Sequence, residues 1–359
     1  MDRILLFHLS DLHFGSGFHG TVDPEVGLGG HEIGLCEPLQ LALKDAPIEH
    51  FQATPDDKLV YYIGGDLTRT GSVHDYQLVF TGLFSNLSWF NDVAGTPESL
   101  ELGLPLADTY SIPGNHDHWK GQSVVRVLPW PILPPAYNAK IFPDLQRPTP
   151  WRQPIPSSNG KFILELFGLD SSEGLRQKRT NLRARGLLSQ QELWGVTDTG
   201  GNLVKKGLWH LLVDAWQDET VDKIPRLRAV GCHHAFTNRN GLRDAWPLDG
   251  NSMADLLGLC RKYQVHAVLT GHTHYFLNWQ QNPLDTGWYV WELRCGSTLQ
   301  RAMATPNNPC TQPQPQGFLV HELKLAHNQP SWAVWKYQYG RNGTSHWKYY
   351  RDPRPEVIH

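Results

Sequence analysis

Five short stretches carry residues whose types and spacing suit metal-assisted chemistry. Asp11-Leu12-His13 sets a carboxylate and an imidazole two residues apart, so at a strand end both can point to one side and share a cation. Gly64-Gly65-Asp66 adds a carboxylate beyond glycines that let the backbone turn, and its two oxygens can bridge a pair of ions. Gly114-Asn115-His116-Asp117 offers a neutral oxygen donor beside an imidazole that can face a substrate instead of a metal. Cys232-His233-His234 and Gly271-His272-Thr273-His274 supply further nitrogen donors. Singly, each has an ordinary explanation: a surface turn for Asp11-Leu12-His13, a helix N-cap for Asp66, a turn for Gly114-Asn115. Lone histidines such as His8, His210, His266 and His321 read as hydrogen-bonded core residues, but that explanation does not extend to the ordered set.

What must position these groups is a series of buried strands that end at them. Runs rich in β-branched and bulky apolar residues cover Ile4 to Leu9, Leu59 to Ile63, Thr109 to Ile112, Arg228 to Gly231 and His266 to Thr270, and each breaks off just before one of the five stretches. Between them lie helical patterns over Pro38 to His50, Tyr76 to Phe84 and Ser252 to Arg261, and Ser189-Gln190-Gln191-Glu192 matches a capping box that starts a further helix. Such alternation predicts an α/β layered fold. After residue 285 the pattern turns to strands, with Trp288 to Leu293, Phe318 to Leu325 and Trp332 to Tyr339 alternating as antiparallel pairs that complete a second sheet from about 286 to 359. Two long segments read as loops: residues 15–34, with seven glycines, and 129–156, with nine prolines. Both leave directly from the histidine-bearing stretches, so they are expected to line the pocket and select the substrate.

Taken in order, the five stretches resemble the motifs of the calcineurin-like metallophosphoesterase family, within the purple-acid-phosphatase-like superfamily. The resemblance runs from residue 11 to residue 274. It implies a single domain over 1–359, folded as a four-layer sandwich of two mixed β-sheets flanked by α-helices. It implies two divalent transition-metal ions, one held by Asp11, His13, Asp66 and His274, the other by Asp66, Asn115, His233 and His272. His116 would sit over the scissile phosphate as general acid, with Asp117 either orienting it or making a structural bond. Of the histidine pair, His233 is the expected ligand and His234 the alternative, with a place near the substrate if it is not a ligand. Arg69 and His118 follow the motifs closely enough to contact a phosphate or its organic group. Gly168-Leu169-Asp170-Ser171-Ser172 resembles another family segment, while Ala235-Phe236 stands where a proline often follows the histidines. All the donors are oxygen or nitrogen, which suits manganese, iron or zinc.

Composition narrows the substrate without naming it. The net charge of −3 and the lack of a dense Lys/Arg run give nucleic acid no bulk partner surface, so a small phosphate ester is expected, with a diester favoured. A monoesterase or protein phosphatase, a nuclease, and a scaffold that binds metal without catalysis are the alternatives. The longest apolar runs fall far short of the roughly 20 residues a bilayer requires. Cys36, Cys232, Cys260, Cys295 and Cys310 form an odd set without Cys-x-x-Cys spacing, which suits reduced thiols and a cytoplasmic location. The tryptophans between Trp332 and Trp347 read as packing, and the sequence leaves the oligomeric state open.

Overall fold

The computed structural model describes residues 2–13, 35–68, 104–118, 148–172, 186–236, 247–274, 276–281, 287–299, 316–326, 329–340 and 348–358. From the N-terminus, β1 (Arg3–Leu9), β2 (Lys58–Ile63) and β3 (Thr109–Ser111) pair in parallel. Next come β4 (Trp151–Pro156) and β5 (Ile163–Leu169), an antiparallel pair, and the ribbon of β6 (Val196–Thr197) with β7 (Leu203–Lys205). Strands β8 (Arg226–Cys232) and β9 (Ala267–Thr270) add to β5 in parallel, and β10 (Leu277–Gln281) and β11 (Val290–Arg294) finish this sheet in the order β10-β11-β9-β8-β5-β4. The chain then returns to the first sheet with β12 (Gly317–Ala326), β13 (Gln329–Gly340), β14 (Lys348–Arg351) and β15 (Glu356–Val357). That sheet runs β14-β13-β12-β1-β2-β3, with β15 also on β13.

Both sheets are mixed, as expected, but the C-terminal strands divide between them. Only β11 and its neighbour β10 join the second sheet, whereas β12 to β15 extend the first. The reason lies in β1, every residue of which is buried. Its pairing with β2 leaves one edge with unmet backbone donors and acceptors, and β12 covers that edge antiparallel, from Arg3 opposite Lys324 to His8 opposite Leu319. The proline-rich segment also needs correction at its end, because Trp151–Pro156 is a strand. Pro154 and Pro156 fit there because β4 lies at the edge of its sheet, where a missing N–H costs no ladder bond.

The core explains the layers. Leu164 and Leu166 of β5, Leu227 and Ala229 of β8 and Ala267 and Leu269 of β9 face the first sheet in one apolar cluster. Their neighbours Phe167, Leu169, Val230, Cys232 and Val268 face outward into a second cluster beneath helices. Strands covered on both sides in this way read as largely apolar runs, which is why β8 and β9 were visible in the sequence. Helix α1 (Cys36–Asp45), continued by a π-helical turn Ala46–His50, packs Leu39 and Leu43 inward. Helix α2 (Gln190–Leu193) starts at the expected cap, with Ser189 accepting from the Glu192 N–H, and α4 (Gly250–Lys262), capped by Asp249, matches the pattern over Ser252 to Arg261. Helix α3 (Leu208–Asp222) was not anticipated, although Leu208, Leu212 and Ala215 mark its buried stripe at helical spacing. The helix expected over Tyr76 to Phe84, the segment 15–34 and residues 129–147 lie outside the described residues. No described helix is long and apolar enough to cross a membrane. Trp332 is fully buried, which bears out packing for that tryptophan.

Candidate metal centre

The carboxyl ends of β1, β2, β3, β8 and β9 all open onto one rim, and the predicted groups lie immediately beyond them. Asp11 follows β1, Asp66 follows β2, Asn115 follows β3, His233 follows β8, and His272 and His274 follow β9. Open α/β sheets characteristically place ligands outside the carboxyl ends of their strands. Backbone bonds then lace the loops together: Asp11 N–H donates to Gly65 O (3.1 Å), His13 N–H to Asp66 O (3.0 Å) and Gly271 N–H to His233 O (3.0 Å). His272 N–H donates to Asp11 Oδ2 at 3.0 Å and His116 N–H to Asp66 Oδ1 at 2.9 Å. Among the described residues, eight other than glycine adopt the left-handed backbone region, and five of them are Asp11, His13, Asp66, His272 and His274. Each such conformation costs on the order of 1–3 kcal/mol and survives only where the surroundings over-determine it. Two glycines make the close approach possible. A Cβ on Gly65 would lie 2.6 Å from His233 Nδ1, and one on Gly114 would lie 2.1 Å from Asp66 Oδ1.

The side chains converge in two groups joined by a third. Asp11, His13 and His274 form one and Asp66, His233 and His272 another, while His13, Asp66 and His116 link them, with the donor atoms in each within 4.8 Å of one another. Asp11 Oδ1 lies 3.3 Å from His274 Nε2, while Asp66 Oδ2 lies 3.6 Å from His13 Nε2 and 3.2 Å from His233 Nε2. Asp66 thus reaches toward both groups. Asn115 Oδ1, His233 Nε2 and His272 Nε2 are buried with no hydrogen-bond partner among the described residues. Buried polar atoms are rarely left so, and a converging set of oxygen and nitrogen lone pairs suits divalent cations. His233 shows how a ligand is oriented: its Nδ1–H donates to Gly64 O at 2.7 Å, which leaves the Nε2 lone pair facing inward.

Electrostatics agree with this reading. Burial opposes ionisation of Asp11 and Asp66, but His274 and His13 around the first, and His233 and His116 around the second, hold both carboxyls below the usual range. Burial and the neighbouring His233 push His272 down to about 3, so it presents a neutral ring. Burial acts the same way on His233, yet the Asp66 carboxylate outweighs it and raises the imidazole to about 9, a position where a cation can take the place of a proton.

His116 is half-buried, its ring edge-on to His13 at 4.4 Å between centroids and its Nε2 3.9 Å from Asp66 Oδ2. Asp117 meets backbone and hydroxyl donors of the neighbouring loops. Its carboxylate accepts from Leu67 N–H (3.2 Å), Thr68 N–H (2.8 Å), Thr68 Oγ1 (2.9 Å) and Gly114 N–H (2.9 Å), tying the Asp66 loop to the Asn115 loop. His118 is buried with Nε2 3.1 Å from Asp170 Oδ2, so the nitrogen expected near substrate faces a carboxylate instead. His234 is also fully buried; its Nδ1 lies 2.6 Å from Ser171 Oγ and its ring packs 4.5 Å from that of His272. Its Nε2 is buried without a hydrogen-bond partner among the described residues, but the donor group with Asp66 and His272 takes His233 and not His234. Arg69 lies outside the described residues. Ser10, whose Oγ donates to Asp11 Oδ2 at 2.7 Å, was missed in the sequence. Asp170 and Ser171 had a signal, the family-like Gly168 to Ser172 segment, but no assigned role.

The calcineurin-like phosphoesterase family model matches residues 4–276. No curated protein matches the chain at a significant level. Among solved structures, a dimetal phosphatase from Danio rerio is similar at 12% identity, covering 93% of this chain and 96% of that one with a TM-score of 0.47. The Plasmodium inner-membrane-complex anchor GAP50 is similar at 12% identity, covering 94% and 85% with a TM-score of 0.42. A Staphylococcus aureus protein described as a putative 5'-nucleotidase is similar at 12% identity, covering 99% of this chain and 54% of that one with a TM-score of 0.40. With the family model spanning every proposed ligand, the chain belongs to the calcineurin-like phosphoesterases, metal-dependent hydrolases of phosphate esters.

Proposed function

We propose that this chain hydrolyses a small phosphodiester at two transition-metal ions, manganese, iron or zinc, the first on Asp11, His13, Asp66 and His274 and the second on Asp66, Asn115, His233 and His272. The observation that carries the reading is Asp66, whose carboxylate lies against both groups of imidazoles and can belong to both ions. When bound, the ions supply Lewis acidity toward the phosphate oxygens and lower the pKa of water. The chain's own residues do the rest. Asp66 takes its Oδ1 bond from the His116 N–H, which sets the imidazole at the mouth of the site, where it can hand a proton to the departing oxygen. Asp117 keeps the Asn115 loop against the Asp66 loop, so the neutral oxygen donor stays beside the bridging carboxylate. A reducing, cytoplasmic setting is supported by Cys36, Cys232, Cys260 and Cys295, all buried free thiols.

Elemental analysis of the purified protein, followed by hydrolysis of bis-nitrophenyl phosphate and nitrophenyl phosphate with each metal, tests the reading. Two ions per chain and turnover of the diester at least as fast as the monoester are expected, and Asp66→Ala should lose both ions. A single ion retained by Asp66→Ala refutes the shared site, and activity confined to the monoester makes the chain a phosphatase.

A further inference from the structure

Behind the two histidine loops lies an ion pair that the chemistry above does not use. Strand β11 runs parallel to β9, with Glu292 opposite Val268 and Arg294 opposite Thr270, and both charged side chains are fully buried. Arg294 donates from Nε (3.2 Å) and Nη2 (2.8 Å) to Glu292 Oε1. The same oxygen accepts from the Phe236 N–H (3.0 Å) and from Thr270 Oγ1 (3.1 Å), while Arg294 Nη1 donates to Thr273 Oγ1 at 3.3 Å. Phe236 lies three residues beyond His233, and Thr273 stands between His272 and His274, both left-handed. One buried pair therefore grips two of the three loops that carry proposed imidazole ligands, those after β8 and β9. Glu292 Oε2 is buried with no hydrogen-bond partner among the described residues. A buried ion pair is weak evidence for stability, since apolar residues of similar volume often do as well. Holding strained ligand loops in one geometry is a use that apolar residues could not serve.

We propose that Glu292 and Arg294 are positioning residues that set the metal affinity of the centre, with the stronger effect on the ion held by His233 and His272, because both of those ligands sit on gripped loops. The proposal rests on the two-ion reading, so titration of metal-freed wild-type protein with Mn²⁺ by calorimetry comes first. Two Mn²⁺ per chain are expected, and fewer would refute that reading rather than the pairing. The variants are Thr273→Val, which removes the oxygen that receives Arg294 at nearly constant shape, Thr273→Ser, which keeps it, and the double replacement Glu292→Leu with Arg294→Met. Loss of a residue that orients a ligand typically costs about 10–100-fold in metal affinity, and a rise of that size in the weaker Mn²⁺ dissociation constant is expected for Thr273→Val and for the double variant. Thr273→Ser should restore wild-type affinity. Melting of the metal-free proteins separates positioning from packing. Unchanged Mn²⁺ affinity in Thr273→Val and the folded double variant, whatever their melting temperatures, overturns the proposal. If the double variant does not fold, Thr273→Val against Thr273→Ser decides it alone.

Discussion

His116 and Asp117 are sequence neighbours with opposite surroundings, and the contrast separates chemistry from scaffolding. The Asp117 carboxylate is filled by donors from Leu67, Thr68 and Gly114, whereas the His116 side chain keeps about a fifth of its surface open. A group that must meet a leaving oxygen needs that access. His116 also stands close enough to His13 and Asp66 to be counted with them as a possible metal group, so its role is decided by experiment on two observables. His116→Ala is expected to leave metal content unchanged and to slow esters of alkyl alcohols by about 10²–10⁴-fold, the usual contribution of general acid catalysis. Nitrophenyl esters, whose leaving group departs as a stable anion, should lose much less. Equal losses for both ester classes would assign His116 to phosphate binding, and loss of an ion would make it a ligand. These residues were legible in the sequence because each carries its own local signature at a strand end. Ser10, Glu292 and Arg294 were not, since what they touch depends on which strands lie side by side.

At the scale of elements, the sequence shows a strand best when both its faces are covered. β8 and β9 announce themselves as largely apolar runs, broken in β8 only by Arg226 and Arg228, while β4, with two prolines, is disguised by its place at the edge. The C-terminal strands were visible as strands, but their sheet was not, because alternation tells which face is buried and not which edge is free. A short helix supplies the prediction at this scale. Glu192 of α2 is almost wholly buried, accepts from the Asp170 N–H at 3.0 Å and has Lys205 Nζ 3.9 Å away. Burial first, and the nearby Asp170 charge second, raise its carboxyl to about 8. Between the ordinary glutamate value of about 4.3 and this folded one, the native state holds a proton that the unfolded chain has released. Stability therefore falls as pH rises through that window. Glu192→Gln, neutral at every pH, should melt like the wild type near pH 4 and above it at pH 8–9. Parallel melting curves across the range would mean that Glu192 is ionised in the folded protein.

For the whole molecule, the metal centre is also a joint between the two sheets. Asp11, His13, Asp66 and Asn115 come from loops of the first sheet, and His233, His272 and His274 from loops of the second. Each proposed ion takes donors from both, so it adds a link between layers that also meet through apolar packing of β1, β2 and β12 against β5, β8 and β9 and through hydrogen bonds such as His272 N–H to Asp11 Oδ2. A ligand that binds only the folded state stabilises it by RT ln(1 + [L]/Kd), about 2.7 kcal/mol per site at a hundredfold excess over Kd. For a large domain this corresponds to a shift of several degrees in Tm, and two sites sharing Asp66 should act together. Stripping metal with a chelator is thus expected to lower Tm by several degrees and Mn²⁺ to restore it, while Asp66→Ala should melt at one temperature with or without chelator. The comparison controls for the general effect of the chelator, because both proteins experience it equally. A wild type shown by elemental analysis to have lost its metal, yet melting unchanged, would place the ions outside the joint and leave the two sheets held by their apolar faces and the hydrogen bonds between their loops.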